Sequence, residues 1–183
     1  MASALQRAQQ DGTPLIDGQA ATFVFQGAEP PVLRGDFNGW DPEQAPEWQP
    51  DENDVWTIQL SLAEDAYIEY TFGTDEARVV DPFNPRRVSN GMGKYNHYFY
   101  MPQGGPTPLA RRNRAAPRGE LVQLDLPTHM MVAGQKRRLV LYRPMTADPV
   151  PLMLVYDGTD FLRRASLATL VDNLIAQGRI QPM

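Results

Sequence analysis

The stretch that decides the reading is VLRGDFNGWDP, Val32 to Pro42. Val32 and Leu33 suit the end of a strand. Gly35-Asp36-Phe37-Asn38-Gly39 is a run of turn formers, and Trp40 is followed at once by Asp41-Pro42. Gly39 takes positive φ at no steric cost, and Asn38 tolerates it better than most residues. Such a turn holds Trp40 in one position, exposed or packed, at the mouth of a small β domain.

Outward from this turn the apolar period is two. TFVFQ (Thr22 to Gln26) places Phe23 and Phe25 on one face, and Val32 to Arg34 reads as a short second strand. In VWTIQL (Val55 to Leu60), Trp56, Ile58 and Leu60 share a face, so Trp56 reads as core. In AYIEYTFG (Ala66 to Gly73), Tyr67, Glu69 and Thr71 oppose Ile68, Tyr70 and Phe72. After a turn at Thr74-Asp75-Glu76, Arg78 to Val80 leads into Asp81-Pro82, and NHYFYM (Asn96 to Met101) closes the series. Short strands at this spacing predict an antiparallel sandwich of about 80 residues. Residues 1–20 read as a short helical or frayed lead-in, and residues 21–102 as the sandwich.

Composition narrows the function classes. With 17 basic and 22 acidic residues the net charge is -5, which argues against a general nucleic-acid binder. There is no Cys, which excludes disulfides and thiolate zinc sites. The start, MASALQRAQQDG, lacks a basic region followed by an apolar core of roughly 7–15 residues. No apolar run approaches the roughly 20 residues that span a bilayer. The expectation is a soluble cytoplasmic protein without metal or cofactor.

Residues 103–118 are rich in Pro, Gly and Arg and read as a linker. Arg111, Arg112, Arg114 and Arg118 within it read as a solvated charge run. Beyond it the pattern changes. GELVQLDLP (Gly119 to Pro127) alternates, KRRLVLYRP (Lys136 to Pro144) is a second strand, and PLMLVYDG (Pro151 to Gly158) suits a strand buried on both faces. Asp160 to Gln177 reads as one helix, with Phe161, Ala165, Ala168, Val171 and Ile175 on its apolar stripe and Gly178 after its end.

Residues 21–102 resemble the E-set, immunoglobulin-like domain of carbohydrate-binding module family 48. The likeness rests on GDFNGWDP (Gly35 to Pro42), the strand carrying Trp56, VVDPFNP (Val79 to Pro85) and GKYNHYFYM (Gly93 to Met101). Residues 119–183 resemble the opening of the enterochelin esterase and feruloyl esterase family of α/β-hydrolases. RRLVLYRP, then PLMLVYDG, then a helix ending in VDNLIAQGRI (Val171 to Ile180) is that family's opening order. Together they imply a mainly β chain: an immunoglobulin-like sandwich followed by a partial α/β-hydrolase segment.

The resemblance also implies roles. In the family a Ser nucleophile on a G-x-S-x-G elbow works with an acid and a His. The four Ser here (Ser3, Ser61, Ser89 and Ser166) lack the flanking glycines, and the two His, His97 and His129, lie upstream of the family's His. The chain is therefore expected to stop before its catalytic residues and to be inactive alone. The loop at Gly158 and Thr159 would supply oxyanion-hole N–H groups in the parent enzyme. On the sandwich, Trp40, Lys94 and Asn96 are the implied ligand-binding residues, with Met92 in the same loop. Arg78 falls where glycogen-binding members carry a second aromatic. The implied partners are a small-molecule ester or an α-glucan polysaccharide, with neither nucleic acid nor membrane. A homo-oligomer that completes the truncated sheet is a further expectation.

Overall fold

The computed structural model describes residues 2–74, 76–128 and 136–183. His129 and Asp75 lie outside the described residues. The chain divides into two compact units at Gly105–Pro106.

The first unit opens with helix α1 (Ala4–Asp11), started by a reciprocal cap. The Ser3 hydroxyl accepts the Gln6 N–H at 3.2 Å, and the Gln6 side chain accepts the Ser3 N–H at 3.0 Å. Strand β1 (Leu15–Asp17) then pairs antiparallel with β2 (Ala20–Gln26). Residues 3–17 are therefore an ordered part of the unit: the lead-in is helical, not frayed, and β1 follows it. The reason lies in Val24. The Phe23/Phe25 alternation marks one buried face of β2, but Val24 on the other face is also fully buried, under Ala8 and Leu15.

Two antiparallel sheets enclose the main core. One runs β1-β2-β5-β4, with β4 at Gln49–Pro50 and β5 at Val55–Ser61. The other runs β3-β6-β9-β8, with β3 at Leu33–Gly35, β6 at Tyr67–Gly73, β8 at Arg87–Ser89 and β9 at Tyr95–Tyr100. Strand β7 (Arg78–Val79) pairs with the end of β6. The sheets meet through Phe23 and Ile58 from one side and Leu33, Tyr70, Phe72 and Phe99 from the other. Phe23 lies edge-on to Tyr70 at 5.0 Å and to Phe99 at 5.8 Å, the preferred arrangement of aromatic quadrupoles. Trp48 joins this core, its Nε1 donating to the Pro31 carbonyl. Trp56 is only half-buried, with its Nε1 donating to the Gly27 carbonyl at 2.9 Å.

The second unit is built on one hairpin. Strands β10 (Glu120–Pro127) and β11 (Lys136–Arg143) pair from Glu120↔Arg143 to Pro127↔Lys136. The supposed linker is partly structured. A 3-10 turn at Pro108–Ala110 is fastened by Asn173, whose Nδ2 donates to Leu109 O at 2.7 Å and to Arg111 O at 2.8 Å.

Two expectations fail in this unit. PLMLVYDG is not a strand: Leu152, Leu154 and Tyr156 are 77%, 75% and 84% exposed. A strand buried on both faces needs a hydrogen-bonded neighbour and a covering layer, and no described strand pairs with this segment. The single helix is instead two, α2 (Gly158–Arg163) and α3 (Leu167–Ala176), broken at Ser166 with φ 54°. The continuous 3.6-residue stripe hid the break. Val171 is buried, but Phe161 is 46% exposed. Gly178 does follow the helix end, at φ 65°.

Candidate functional site

The GDFNGW turn is built by Gly35, Asn38 and Asp36. Gly35 allows β6 to pass close: a Cβ there would lie 2.6 Å from the Glu69 carbonyl oxygen. Asn38 ties the turn together, its Oδ1 accepting the Gly35 N–H at 3.0 Å and its Nδ2 facing the carbonyls of Leu33, Asp41 and Gln44. Asp36 uses both oxygens. Oδ1 accepts the Trp40 Nε1–H at 3.0 Å, and Oδ2 accepts the Glu69 N–H at 2.8 Å. Left-handed backbone falls on Gly39 (φ 62°) and on Trp40 itself (φ 66°), not on Asn38. A bulky residue seldom occupies that region, and the two Asp36 bonds help hold Trp40 there. Trp40 is half-exposed.

From this turn a hydrogen-bonded row runs across the sheet face opposite the core. Glu69 Oε2 accepts the Asn96 Nδ2–H at 2.8 Å, and Asn96 Oδ1 accepts from Arg78 Nη1 at 3.0 Å. Arg78 Nη1 also donates to the Tyr95 carbonyl at 2.9 Å. The Tyr67 hydroxyl donates to Glu69 Oε1 at 3.1 Å. Burial, and then the Glu69 carboxylate, push this phenol above its ordinary value, so it remains a donor. Tyr67, Tyr98 and Tyr100 pack ring to ring beside the row, with centroids 5.1 to 5.9 Å apart.

Trp40, Asn96 and Arg78 thus belong to one connected surface. Asn96 is buried to 6% exposure, and both ends of its amide are already bonded. Lys94 and Met92 lie in the exposed loop before β9, which Asn90 organises by accepting the Met92 and Lys94 backbone N–H groups. The face offers flat aromatic rings and fixed planar polar groups. That chemistry suits a neutral polar ligand and not covalent catalysis.

Sequence reasoning missed a second cluster, beneath the opposite side of β6 and β9. Asp81 is 2% exposed, and its carboxylate accepts from the Tyr70 hydroxyl (2.5 Å), the Thr13 hydroxyl (2.8 Å) and the Phe83 N–H (2.9 Å). The Asp81 N–H donates to His97 Nε2 at 3.1 Å. Asn84 donates from Nδ2 to the Tyr70 oxygen and to the Tyr98 carbonyl, while its Oδ1 accepts the Arg86 N–H. Burial, then the Asp81 charge and its hydrogen bond, hold the Tyr70 phenol far above its ordinary value. The signal was VVDPFNP: an Asp and an Asn, each beside Pro, three residues apart. It marks a loop pinned into the core. His97 is a buried strand residue, as its place in NHYFYM suggests.

In the second unit, Gly158 and Thr159 form the first turn of α2, where backbone N–H groups have no intrahelical acceptor. Asp157 precedes them at φ 52°. Elsewhere in the unit a cleft of about 320 Å³ is lined by Tyr142, Met145, Asp172 and Ile175 among others. Asp172 Oδ1 accepts both the Tyr142 hydroxyl at 2.6 Å and the Gly119 N–H at 2.9 Å. Burial, then the Asp172 bond, raise the Tyr142 phenol above its ordinary value. Among the described residues no cluster of His, Asp or Glu could hold a metal, and no helix is long and apolar enough to cross a membrane.

No family model and no curated protein matches the sequence. Solved structures do match the fold. The ferric enterobactin esterase of Salmonella typhimurium superposes with a TM-score of 0.60 at 15% identity, over 89% of this chain and 51% of its own. The enterobactin esterase FES of Shigella flexneri, crystallised in the presence of enterobactin, gives 0.55 at 16% identity, over 89% and 50%. The chain therefore spans about half the length of these enzymes. At such identity the likeness is one of fold.

Proposed function

We propose that this chain is the N-terminal portion of a carboxylic ester hydrolase of the enterochelin-esterase-like family. The observation that carries the reading is the fold match to enterobactin esterases over 89% of the chain, which takes in parts of both units. In this reading the first unit is an E-set domain that shapes the substrate cleft. The second is the opening of an α/β-hydrolase, and the N–H groups of Gly158 and Thr159 are oxyanion donors in the whole enzyme. Removing one such donor typically costs about 100- to 1000-fold in rate. The substrate is a small-molecule ester. No Ser in these 183 residues sits in G-x-S-x-G, so the chain alone is inactive.

The test is a pair of assays on enterobactin and on a simple aryl ester. The 183-residue chain is expected to show no turnover sensitive to a serine reagent. The product of the reading frame extended past Met183 is expected to show it. Serine-reagent-sensitive turnover by the short chain would overturn the inactivity. An extended frame without a G-x-S-x-G segment would overturn the esterase reading.

A second reading has its own support in the half-exposed, pinned Trp40 beside Asn96 on the outer face: a non-catalytic module that binds an α-glucan. Retarded migration in a glucan-containing native gel, lost in Trp40→Ala, is the expected result. Against it stand Arg78 in place of a second aromatic and the Asn96 amide already bonded at both ends. Unchanged mobility of the parent chain would remove this reading.

A further inference from the structure

Three segments of the first unit converge on one buried point: the turn carrying Thr13 after α1, the loop that begins at Asp81 after β7, and His97 on β9. The Asp81 N–H donates to His97 Nε2 at 3.1 Å, so the ring is neutral with its proton on Nδ1. Nδ1 is itself buried and makes no hydrogen bond of ordinary geometry among the described residues, but the backbone carbonyls of Asn84 and Arg86 face the ring and favour its proton. A protonated imidazole is a donor at both nitrogens and an acceptor at neither. Its Nε2–H would face the Asp81 N–H, donor against donor, in a place that water does not reach.

We infer that His97 is an acid-sensitive latch. Protonation of Nε2 breaks its bond to Asp81 and releases residues 81–86, and with them the Thr13 anchor of the α1–β1 segment.

The charges around the ring are few. Asp81 favours the proton. Arg87, directly across from His97 on β8, opposes it. Tyr70 on β6 lies beside the ring, with centroids 5.6 Å apart, and contributes a neutral hydroxyl to the cluster. Burial is the largest effect and lowers His97 below its ordinary 6.5. The closed form therefore stays unprotonated as pH falls through the range where an exposed imidazole charges. The open form takes the proton there. Over that window the open population grows up to tenfold per pH unit, until the closed form also protonates.

Release is local because of how the loop is placed. Pro82, Pro85, Arg86 and Arg87 are exposed, and β8 is a three-residue edge strand. Opening it uncovers far less apolar surface than separating Phe23 from Tyr70 and Phe99.

The experiment is hydrogen exchange of the full chain at pH 7.5, 6.5, 5.5 and 4.5, corrected for intrinsic rates and read on peptides covering residues 2–16 and 81–86. Protection is expected to fall below pH 6.5 by up to tenfold per pH unit in both peptides together, levelling off once the closed form also protonates, while β2 and β5 keep theirs. His97→Gln, whose amide oxygen can replace the Nε2 acceptor and does not titrate, is expected to abolish that dependence. A parallel imidazole NMR titration of the parent chain serves if that variant does not fold; the chain has only His97 and His129 to distinguish. The latch is overturned if His97→Gln keeps the pH dependence. It is equally overturned if His97 titrates while residues 81–86 stay protected.

Discussion

The two units treat their apolar residues in opposite ways. In the first, Phe23, Leu33, Tyr70 and Phe72 are fully excluded from solvent between two sheets. In the second, Leu121, Leu124, Leu126, Leu139, Val140 and Leu141 on one hairpin are all 38% exposed or more, and Leu152, Leu154 and Tyr156 are at least three-quarters exposed. The residue types are similar, so hydrophobicity does not make the difference. Each strand of the first unit pairs within a sheet whose inner face is covered by another sheet. The hairpin of the second pairs with itself, and α3 meets it at its end through the Tyr142–Asp172 bond. By their register Leu124, Leu126, Leu139 and Leu141 share one face of the hairpin, and an exposed apolar face of this kind is where further structure commonly docks. Such docking would accord with the esterase reading.

The strongest test of the contrast strikes the buried cluster that locks the first unit. Asp81→Ala leaves the Tyr70 hydroxyl, the Thr13 hydroxyl and the Phe83 N–H without their acceptor. Each buried orphan costs about 1–3 kcal/mol, so a loss of about 4 kcal/mol in urea unfolding is expected. Asp81→Asn keeps one acceptor oxygen and should cost about half as much. Equal losses in the two variants would mean that the carboxylate charge, which both remove, sets the stability, and not the number of acceptor oxygens left.

In the second unit the corresponding test is Gly119→Ala. A Cβ at this position would fall 2.3 Å from the Tyr142 ring and would drive that ring away from Asp172. A loss of about 2 kcal/mol is expected, within the usual range for overpacking. If the second unit gains its order only from structure docked on it, this variant will change no cooperative transition of the chain. The Asp81→Ala variant will still shift that of the first unit.

The same contrast explains what could be read from the sequence. Strands of the sandwich were legible where one face meets the core and the other meets solvent. Ile68, Tyr70 and Phe72 against Tyr67 and Glu69 show this pattern plainly. Val24 was not legible: its cover comes from α1, an element with only Ala8 fully buried. PLMLVYDG misled because composition records what a segment can bury, and whether a neighbour is present is a separate fact. Trp40 was legible as a fixed aromatic, but its partner Asp36 was not, since an Asp in a turn ordinarily caps the local backbone. Here it reaches Glu69, 33 residues away.

That reach gives the smallest and most informative prediction. Asp36→Ala removes two hydrogen bonds at the surface, one to Trp40 Nε1 and one to the Glu69 N–H. Water replaces both acceptors, so the stability cost is expected to be about 1 kcal/mol. The larger effect belongs on Trp40, which keeps its left-handed backbone only while the turn holds it. Its indole N–H resonance should shift and broaden while the core resonances of Phe23 and Phe99 stay fixed. A sharp, unshifted indole would show that the turn alone positions Trp40. The outer face would then be a set of independent side chains, with no connected row for a ligand to read.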